Sequence, residues 1–332
     1  MKSSQSSAKS TIKETFKKFF SFEESSLFLA LIALVVVLSF LSPVFLSTYN
    51  IMNVLRQISL TAIAGLGTCI IILSGEIDLS VGSVQGFVGV FSVMALNYFE
   101  SVFIALLVAL LIGAIIGLVN GLLVTKAHVN SLIATLGTMA IIRGAVLVIT
   151  GASSITARVG EFIEVGTGFI GPFPIPVVIT FFLAIIFYFI MNNTSFGRYV
   201  YAIGDNEEAA NLSGISVDKI KILVFVIGGV LAALSAFILA SRMNSGQPNA
   251  GTGFELLVIA AVILGGVSLK GGQGSILGAI IGVMILGVLS NGLTLMGVSS
   301  FYHEIVRGSV IIIAVFMDER RKRKQAEVVL RN

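Results

Sequence analysis

Residues 192–221 read NNTSFGRYVYAIGDNEEAANLSGISVDKIK and lie between two apolar segments of nearly membrane-spanning length. This polar stretch carries the signals of a helix that faces water. Asp205 can cap the free amides at the start of the helix, and Glu208, three residues later, can complete a capping box. Gly214 can adopt the left-handed conformation that ends a helix. We therefore predict an exposed helix over residues 205–214, between two segments that lie in a membrane.

The composition assigns the whole chain to the polytopic membrane proteins. Of the 332 residues, 56% are hydrophobic and 11% are charged, whereas soluble domains contain about 25% charged residues. The 35 glycines suit helices that pack closely in lipid through small residues. Cys69 is the only cysteine, so the chain forms no internal disulfide.

Ten apolar runs approach the length of about 20 residues at which a helix crosses the hydrocarbon of a bilayer. They cover residues 26–44, 58–74, 80–98, 102–124, 131–150, 176–191, 222–240, 254–267, 276–296 and 302–317. With the amino terminus in the cytoplasm, sixteen of the 21 Lys and Arg residues fall on the cytoplasmic side, as the positive-inside rule requires. We predict an all-α fold of about ten transmembrane helices with both termini in the cytoplasm.

The same pattern divides the chain into three regions. Residues 1–24 are predicted to form a cytoplasmic amphipathic leader, because Phe16 and Phe20 share a helical face opposite Lys17. Residues 25–318 form the transmembrane domain, which includes the polar segment 192–221. Residues 319–332 form a basic cytoplasmic tail, and we interpret the run DERRKRK at 318–324 as a topological stop and not as a nucleic-acid site.

Two Gly-rich links interrupt the apolar pattern, SGEIDLSVGS at 74–83 and GGVSLKGGQGS at 265–275. Both join two predicted spans and suit irregular backbone at the ends of transmembrane helices. The first link contains two carboxylates, Glu76 and Asp78, within a stretch of small polar residues. Both links follow an Ile-Leu pair, at 72–73 and 263–264, which suggests an internal duplication of the kind common in transporters; chance similarity of glycine-rich segments is the competing interpretation.

Charged side chains within the spans are the next feature that needs partners. Each costs about 2.5–3.5 kcal/mol at the centre of a helix on insertion scales, so it requires a counter-ion or water. We expect Arg143 to line a polar path or to pair with an acid such as Asp78 or Glu304. Arg307 has Glu304 three residues before it and either pairs with it locally or lines the same path.

The sequence carries no signal of an enzyme. The patterns GxxxxGK[ST], GxSxG, HExxH and CxxC do not occur. We therefore expect no catalytic residue, no metal and no cofactor in this chain. A transporter that lacks a nucleotide site takes its energy from an ion gradient or from another subunit, and the exposed polar helix favours the second source.

Several sequence blocks resemble the bacterial ABC sugar-importer permeases of the ribose, galactose, xylose and arabinose type. TSFGRYVYAIGDNEEAANLSGISVDKIK is similar to their cytoplasmic coupling segment. SGEIDLSVGS, NGLLVTKAHVNSLIATLGTM, SRMNSGQPNAGTGFELLVIAAVILGGVSLKGGQGS and NGLTLMGVSSFYHEIVRGSVIIIAVFMD match in the same order, over about 45–318. QPNAGTGFEL and GVSSFY are most similar to the ribose-type permeases. Glu76 and the Asn130-Ser131 step depart from the usual pattern.

The resemblance implies a type II ABC importer-like permease fold and a homodimer. It further implies a cytoplasmic ATPase with tandem nucleotide-binding domains that holds ATP and Mg²⁺, an extracytoplasmic sugar-binding protein, and a monosaccharide substrate. The coupling residues that it implies are Arg198, Asp205, Glu207, Glu208, Ala209, Ala210 and Gly214. This subunit would sit in the cytoplasmic membrane and contact the lipid bilayer throughout.

A neutral sugar requires hydroxyls and amides along its path. Our candidates for the translocation pathway are Asp78, Ser80, Ser83, Gln85, Asn120, Thr135, Arg143 and Asn291. For Asn120, Thr135 and Asn291, hydrogen bonding between helices is the competing interpretation. The outer loops 151–173 and 241–253 are candidate docking surfaces for the binding protein, with Arg158, Arg242, Gln247 and Asn249 as candidate contacts.

Two alternatives stay open from the residues. One is an ABC permease for branched-chain amino acids, whose coupling segment reads similarly. The other is a stand-alone secondary transporter that uses Glu76, Asp78 and Arg143 as ion or proton sites. The second alternative leaves the exposed helix at 205–214 without a task.

Overall fold

The computed structural model describes residues 22–299 and, beyond them, Tyr302, Ile305, Val306, Gly308, Ser309, Ile312 and Phe316. These residues form twelve continuous helices and four two-residue strands. The helices are α1 Phe22–Leu41, α2 Thr48–Leu73, α3 Val81–Phe99, α4 Val102–Thr125, α5 Ser131–Thr150, α6 Phe162–Thr167, α7 Ile175–Asn193, α8 Ser195–Asp205, α9 Glu207–Leu212, α10 Val217–Met243, α11 Phe254–Leu264 and α12 Ile276–Leu295. The strands are β1 Ile155–Thr156, β2 Phe169–Ile170, β3 Phe173–Pro174 and β4 Ser245–Gly246.

Eight helices of the described chain are long and apolar enough to cross a membrane, namely α1 to α5, α7, α10 and α12. The prediction of an all-α polytopic membrane protein is therefore confirmed. Residues 1–21 of the predicted leader, the basic tail 319–332 and most of the predicted tenth span lie outside the described residues, as do Arg307 and Glu304.

Two predicted spans need correction. The span predicted at 58–74 belongs to α2, a helix of 26 residues whose start is capped by Ser47, which accepts a hydrogen bond from the Asn50 amide. The first turns of α2 are polar, so an apolar pattern does not detect them. The span predicted at 254–267 is α11, with only 11 residues. At 1.5 Å per residue it is about 17 Å long, too short to cross a hydrocarbon core of about 30 Å.

The centre of the fold is α10, which packs against α2, α3 and α4. Its side chains Phe225 and Phe237 are almost completely buried. Close approach of the backbones depends on glycine: a Cβ on Gly67 would lie 2.9 Å from the Cα of Gly228. Helix packing in lipid relies on such small residues because no hydrophobic driving force acts between helices there.

An irregular segment, residues 245–253, enters the membrane domain from the predicted outer side. It starts at β4, which pairs antiparallel with β1, and then follows α3. A Cβ added to Gly86 would lie 2.5 Å from the carbonyl oxygen of Pro248. A Cβ added to Gly82 would lie 2.6 Å from the carbonyl oxygen of Gly251. The short helix α11 begins where this segment ends. Irregular backbone followed by a short helix is tolerated within the hydrocarbon region only where protein or a water-filled cavity surrounds it.

A second irregular segment, residues 74–80, enters from the predicted cytoplasmic side. It follows the first turns of α5: the Ile77 amide donates to Ser131 Oγ over 3.3 Å, and the Leu79 amide donates to Thr135 Oγ1 over 3.1 Å. Helix α3 starts directly after this segment, at Val81. The two irregular segments therefore meet at the beginning of α3.

Candidate functional site

The polar segment 192–221 forms two helices, the partly buried α8 and the largely exposed α9, instead of one predicted helix over 205–214. Asp205 is the last residue of α8 and caps nothing at the start of α9. Asn206 has extended backbone, and its Oδ1 accepts a hydrogen bond from the Ala209 amide over 2.9 Å, so Asn206 is the actual cap. The predicted capping box of Asp205 with Glu208 is therefore wrong, because the third helical residue after Asn206 is Ala209.

The predicted end of the helix is confirmed at Gly214. Its φ of 84° lies in the left-handed region, which a residue without a Cβ adopts at no steric cost. The Gly214 amide donates to the Asn211 carbonyl, and the Ile215 amide donates to the Ala210 carbonyl over 3.1 Å. The second bond spans six residues, as in a Schellman motif.

Helix α9 is attached by one face and exposes the other. Ala210 is 4% exposed and packs with Ile203 and Val217. Leu212 is 83% exposed. Sequence reasoning missed Leu212, although a leucine at the tip of an otherwise polar helix is a signal of a contact with another protein. Arg198, Asp205, Glu207, Glu208 and Ala209 are also exposed on this surface.

A groove of about 620 Å³ lies beside α9. It is lined by Lys126, Glu207, Glu208, Asn211, Ser216, Val217, Asp218 and Lys219. Lys126 and Asp218 form an exposed ion pair of 2.7 Å at its edge. The groove thus offers charges of both signs next to an exposed helix, a surface suited to a protein partner.

Lys221 joins α9 to the first Gly-rich link. Its ammonium lies 2.6 Å from Glu76 Oε1 and 2.7 Å from Glu207 Oε2, and the lysine is 6% exposed. Charge-assisted hydrogen bonds of this length are strong, and a buried charge that has both partners is satisfied. Glu76, which departs from the family pattern, is therefore one partner of a buried lysine. The sequence placed Lys221 in the cytoplasm and did not identify either contact.

Helix α8 rests on the Gly-rich links. A Cβ on Gly204 would meet the carbonyl of Leu73 and lie 2.5 Å from the amide nitrogen of Gly272. The hydroxyl of Tyr201 donates to the Gly274 carbonyl over 3.0 Å. The Gly272 amide also donates to the Leu73 carbonyl over 3.0 Å. A movement of α8 would consequently displace the carboxyl end of α2 and the residues just before α12.

Five predicted pathway residues form one cluster at the start of α3. Asp78 Oδ1 accepts from the Ser80 amide over 2.7 Å and from Ser80 Oγ over 2.6 Å, and Asn120 Nδ2 donates to Ser80 Oγ over 3.0 Å. Ser83 bonds to the Ser80 carbonyl, and Thr135 bonds to the backbone of Leu79. Burial raises the pKa of the Asp78 carboxyl, and the two hydrogen bonds from Ser80 oppose that shift.

The other pathway candidates lie elsewhere. Asn291, near the end of α12, exchanges side-chain hydrogen bonds of 3.0 and 2.8 Å with Asn50, near the start of α2. Gln85 donates to Ser235 on α10 over 2.9 Å. Arg143 does not pair with Asp78; its Nη2 lies 3.8 Å from Glu255 Oε2. Residue 255 follows an irregular segment in the fold, and nothing in the sequence pattern linked it to α5.

The four docking candidates lie on or near the predicted outer side. Arg158 is exposed, and its amide donates to Asn97 Oδ1 over 2.8 Å. Arg242 is partly buried at the end of α10, and Asn249 is exposed. Gln247 bonds to Ser245 in the irregular segment that follows β4.

Comparison with known proteins adds a family to this geometry. The family described as "Branched-chain amino acid transport system / permease component" matches residues 50–315. The chain is 42% identical to the ribose import permease protein RbsC of Haemophilus influenzae, over 89% of this chain and 93% of that protein. It is 44% identical to RbsC of Bacillus subtilis, over 89% and 92%. It is 40% identical to the L-arabinose transport system permease protein AraH of Escherichia coli, over 86% and 87%. No solved structure matches the chain.

The matched region includes both Gly-rich links, α8 and α9. The predicted family is thus confirmed, and with it the expectation of a transport subunit and not an enzyme. The chain belongs to the family of membrane-spanning permease components of ABC importers.

Proposed function

We propose that this permease passes a monosaccharide, with ribose as the first candidate, through the cytoplasmic membrane of a bacterium. The observation that carries the proposal is the identity of 42% and 44% to ribose import permeases over nearly nine-tenths of the chain. The relative named for L-arabinose transport, at 40% identity, makes a second pentose the next candidate.

Permeases of ABC importers work with an ATPase and a substrate-binding protein. For this chain we propose that two copies form the membrane core and that one ATPase chain with tandem nucleotide-binding domains holds ATP and Mg²⁺. The exposed helix α9, the tip residue Leu212 and the adjacent groove form the surface that fits this ATPase. The binding protein would dock at the outer loops, with Arg158, Arg242, Gln247 and Asn249 as candidate contacts.

The contacts suggest how force from the ATPase reaches the membrane. A shift of α9 displaces Glu207. The hydrogen bonds of Lys221 to Glu207 and to Glu76 would transmit this displacement to Glu76. Glu76 is followed by Asp78 and Ser80, which are hydrogen-bonded to each other and directly precede α3. A rigid chain of this kind can shift the balance between two packed states of the membrane helices, as alternating access requires.

We also propose that α9 and both chain ends face the cytoplasm. The predicted cytoplasmic residues Lys126 and Lys221 both lie beside α9, where Lys126 pairs with Asp218 and the buried Lys221 pairs with Glu207. The predicted outer residue Arg56 instead donates to the Thr167 carbonyl over 2.8 Å in the loop region 151–173. Opposite placement of these two groups supports the orientation from the positive-inside rule.

The decisive experiment reconstitutes the permease with its ATPase and binding protein in vesicles and measures ATP-dependent uptake of labelled ribose, arabinose and leucine. Ribose uptake above the other two is expected. Uptake of leucine alone would favour the amino-acid alternative to which the family description points. Uphill uptake by the permease without the ATPase would instead favour an ion-coupled transporter.

A further inference from the structure

A second polar group adjoins the Asp78 cluster, about one turn further along α3, where the outer irregular segment meets that helix. It consists of Gln85 on α3, Arg143 on α5 and Glu255 at the start of α11. Glu255 Oε2 lies against Gly82, where a Cβ would overlap it. Gly251, in the irregular segment, lies against Gln85, whose Cβ is 2.6 Å from the position of a Gly251 Cβ. Gln85 and Glu255 therefore flank the same crossing of two backbones.

The depth of this group in the membrane follows from helix geometry. Glu255 precedes the end of α11, Leu264, by nine residues, which is about 14 Å of helix. Arg143 follows the start of α5, Ser131, by twelve residues, which is about 18 Å. If Leu264 and Ser131 are placed at the predicted cytoplasmic boundary of a hydrocarbon core about 30 Å thick, both side chains lie near its middle.

The group contains three buried polar atoms that no described residue satisfies. Gln85 Oε1, Arg143 Nη2 and Glu255 Oε2 are buried and have no hydrogen-bond partner within the described part of the chain. The Arg143–Glu255 separation of 3.8 Å is that of an ion pair and is too long for a hydrogen bond. A buried polar group without a hydrogen bond is destabilising, so an unsatisfied set of donors and acceptors indicates a ligand or water.

The chemistry of the three groups identifies the class of ligand. A guanidinium donates hydrogen bonds, whereas a carboxylate and an amide carbonyl accept them, and a hydroxyl can pair with any of the three. The two opposite charges cancel, so a neutral molecule meets no net field. The Arg143 side chain is 30% exposed, and exposure of a charge at this depth requires water or protein instead of lipid.

We propose that Gln85, Arg143 and Glu255 form a transient binding site for a neutral polyhydroxyl molecule halfway through the membrane. This inference rests on the proposed function as a sugar permease and adds the place where the sugar is held. Glu255 was not among the residues that the sequence suggested. The start of a broken helix beside an irregular segment is where transporters often bind their substrates.

The test uses the complete complex in vesicles with Glu255→Gln, Arg143→Gln and the charge exchange Arg143→Glu with Glu255→Arg. We expect each single variant to lower the rate of ribose uptake about tenfold, since one charged hydrogen-bonding group is lost. The charge exchange keeps an ion pair but reverses donor and acceptor, so it should remain as slow. Recovery of uptake in the exchanged variant would show a purely structural pair and overturn the proposal.

Glu255→Asp addresses the possibility that the neutral variants do not assemble. It keeps the charge and shifts the carboxylate by one methylene, so the ratio of ribose to 2-deoxyribose uptake should change severalfold. An unchanged ratio, in a complex that still transports, would contradict the proposal. Ser92→Ala is the matched control, because Ser92 is a buried polar residue of α3 that bonds within its own helix. Its uptake should equal that of the wild type.

The wild-type complex separates failure of this inference from failure of the proposed function. If the wild type takes up no monosaccharide, both are wrong. If it takes up ribose and the three single variants do so equally well, only the membrane site is wrong.

Discussion

Two regions of this permease contain ion pairs but differ in how completely the charged groups are hydrogen-bonded. Beside α9, the buried ammonium of Lys221 contacts two carboxylates at 2.6 and 2.7 Å. Where the outer irregular segment meets α3, Arg143 and Glu255 remain 3.8 Å apart, and each has a polar atom without a hydrogen bond within the described part of the chain. The first arrangement is suited to transmit force between fixed parts, and the second is suited to receive a ligand. Similar residue types can therefore suit different roles, because the surroundings supply hydrogen-bond partners to Lys221 and leave buried atoms of Arg143 and Glu255 without such partners among the described residues.

The largest effect is expected from Lys221→Met. Glu76, whose side chain is 11% exposed, would lose its counter-ion, and removal of one partner from a buried pair destabilises by about 3–5 kcal/mol. Thermal unfolding of the purified complex measures this loss, and ATP-driven uptake should fall with it. Lys221→Met combined with Glu76→Gln should recover much of the stability but not the coupling. A stable and fully active Lys221→Met complex would erase the contrast between the two regions.

The next effect is expected at the tip of α9. Leu212→Asp should weaken binding of the ATPase about tenfold, which corresponds to about 1.4 kcal/mol. The stability of the permease alone should not change, because the side chain is already 83% exposed. Co-purification and titration of the ATPase measure the affinity. Undiminished binding would remove Leu212 from the docking surface and leave the groove as the remaining candidate.

A smaller effect distinguishes the observed cap from the predicted one. Asn206→Ala removes the side-chain acceptor of the Ala209 amide and should destabilise α9 by about 1 kcal/mol. Hydrogen exchange of the α9 amides is the appropriate measurement. Asp205→Ala is the matched control and should leave those amides protected, since Asp205 belongs to α8. The reverse result would restore Asp205 as the cap.

The smallest effect is expected from Lys126→Ala. Its pair with Asp218 is short, but the two side chains are 61% and 45% exposed, and exposed ion pairs contribute about 0–1 kcal/mol. Thermal unfolding should shift by little, in contrast to Lys221→Met. A loss as large as that of Lys221→Met would mean that exposure does not separate the two lysines.

Sequence reasoning succeeded where the signal is local or additive. Membrane class follows from composition, the left-handed turn at Gly214 from the residue type, and the family from blocks of matching sequence in one order. It was less accurate where two signals compete within a few residues. Asp205 and Asn206 can both cap a helix, and only the break between α8 and α9 selects Asn206.

The contacts between distant parts required the fold itself. Glu76 and Lys221 are 145 residues apart, and Arg143 and Glu255 lie on helices that no local pattern connects. An apolar run predicts that a segment enters lipid, because each residue contributes separately to transfer from water. It does not predict which helix is broken or which charges meet, since these depend on backbone crossings such as that of Gly82 with Gly251. Membrane insertion and family were therefore encoded locally, whereas the contacts of Lys221 with two carboxylates and the Arg143–Glu255 pair form only when the helices pack.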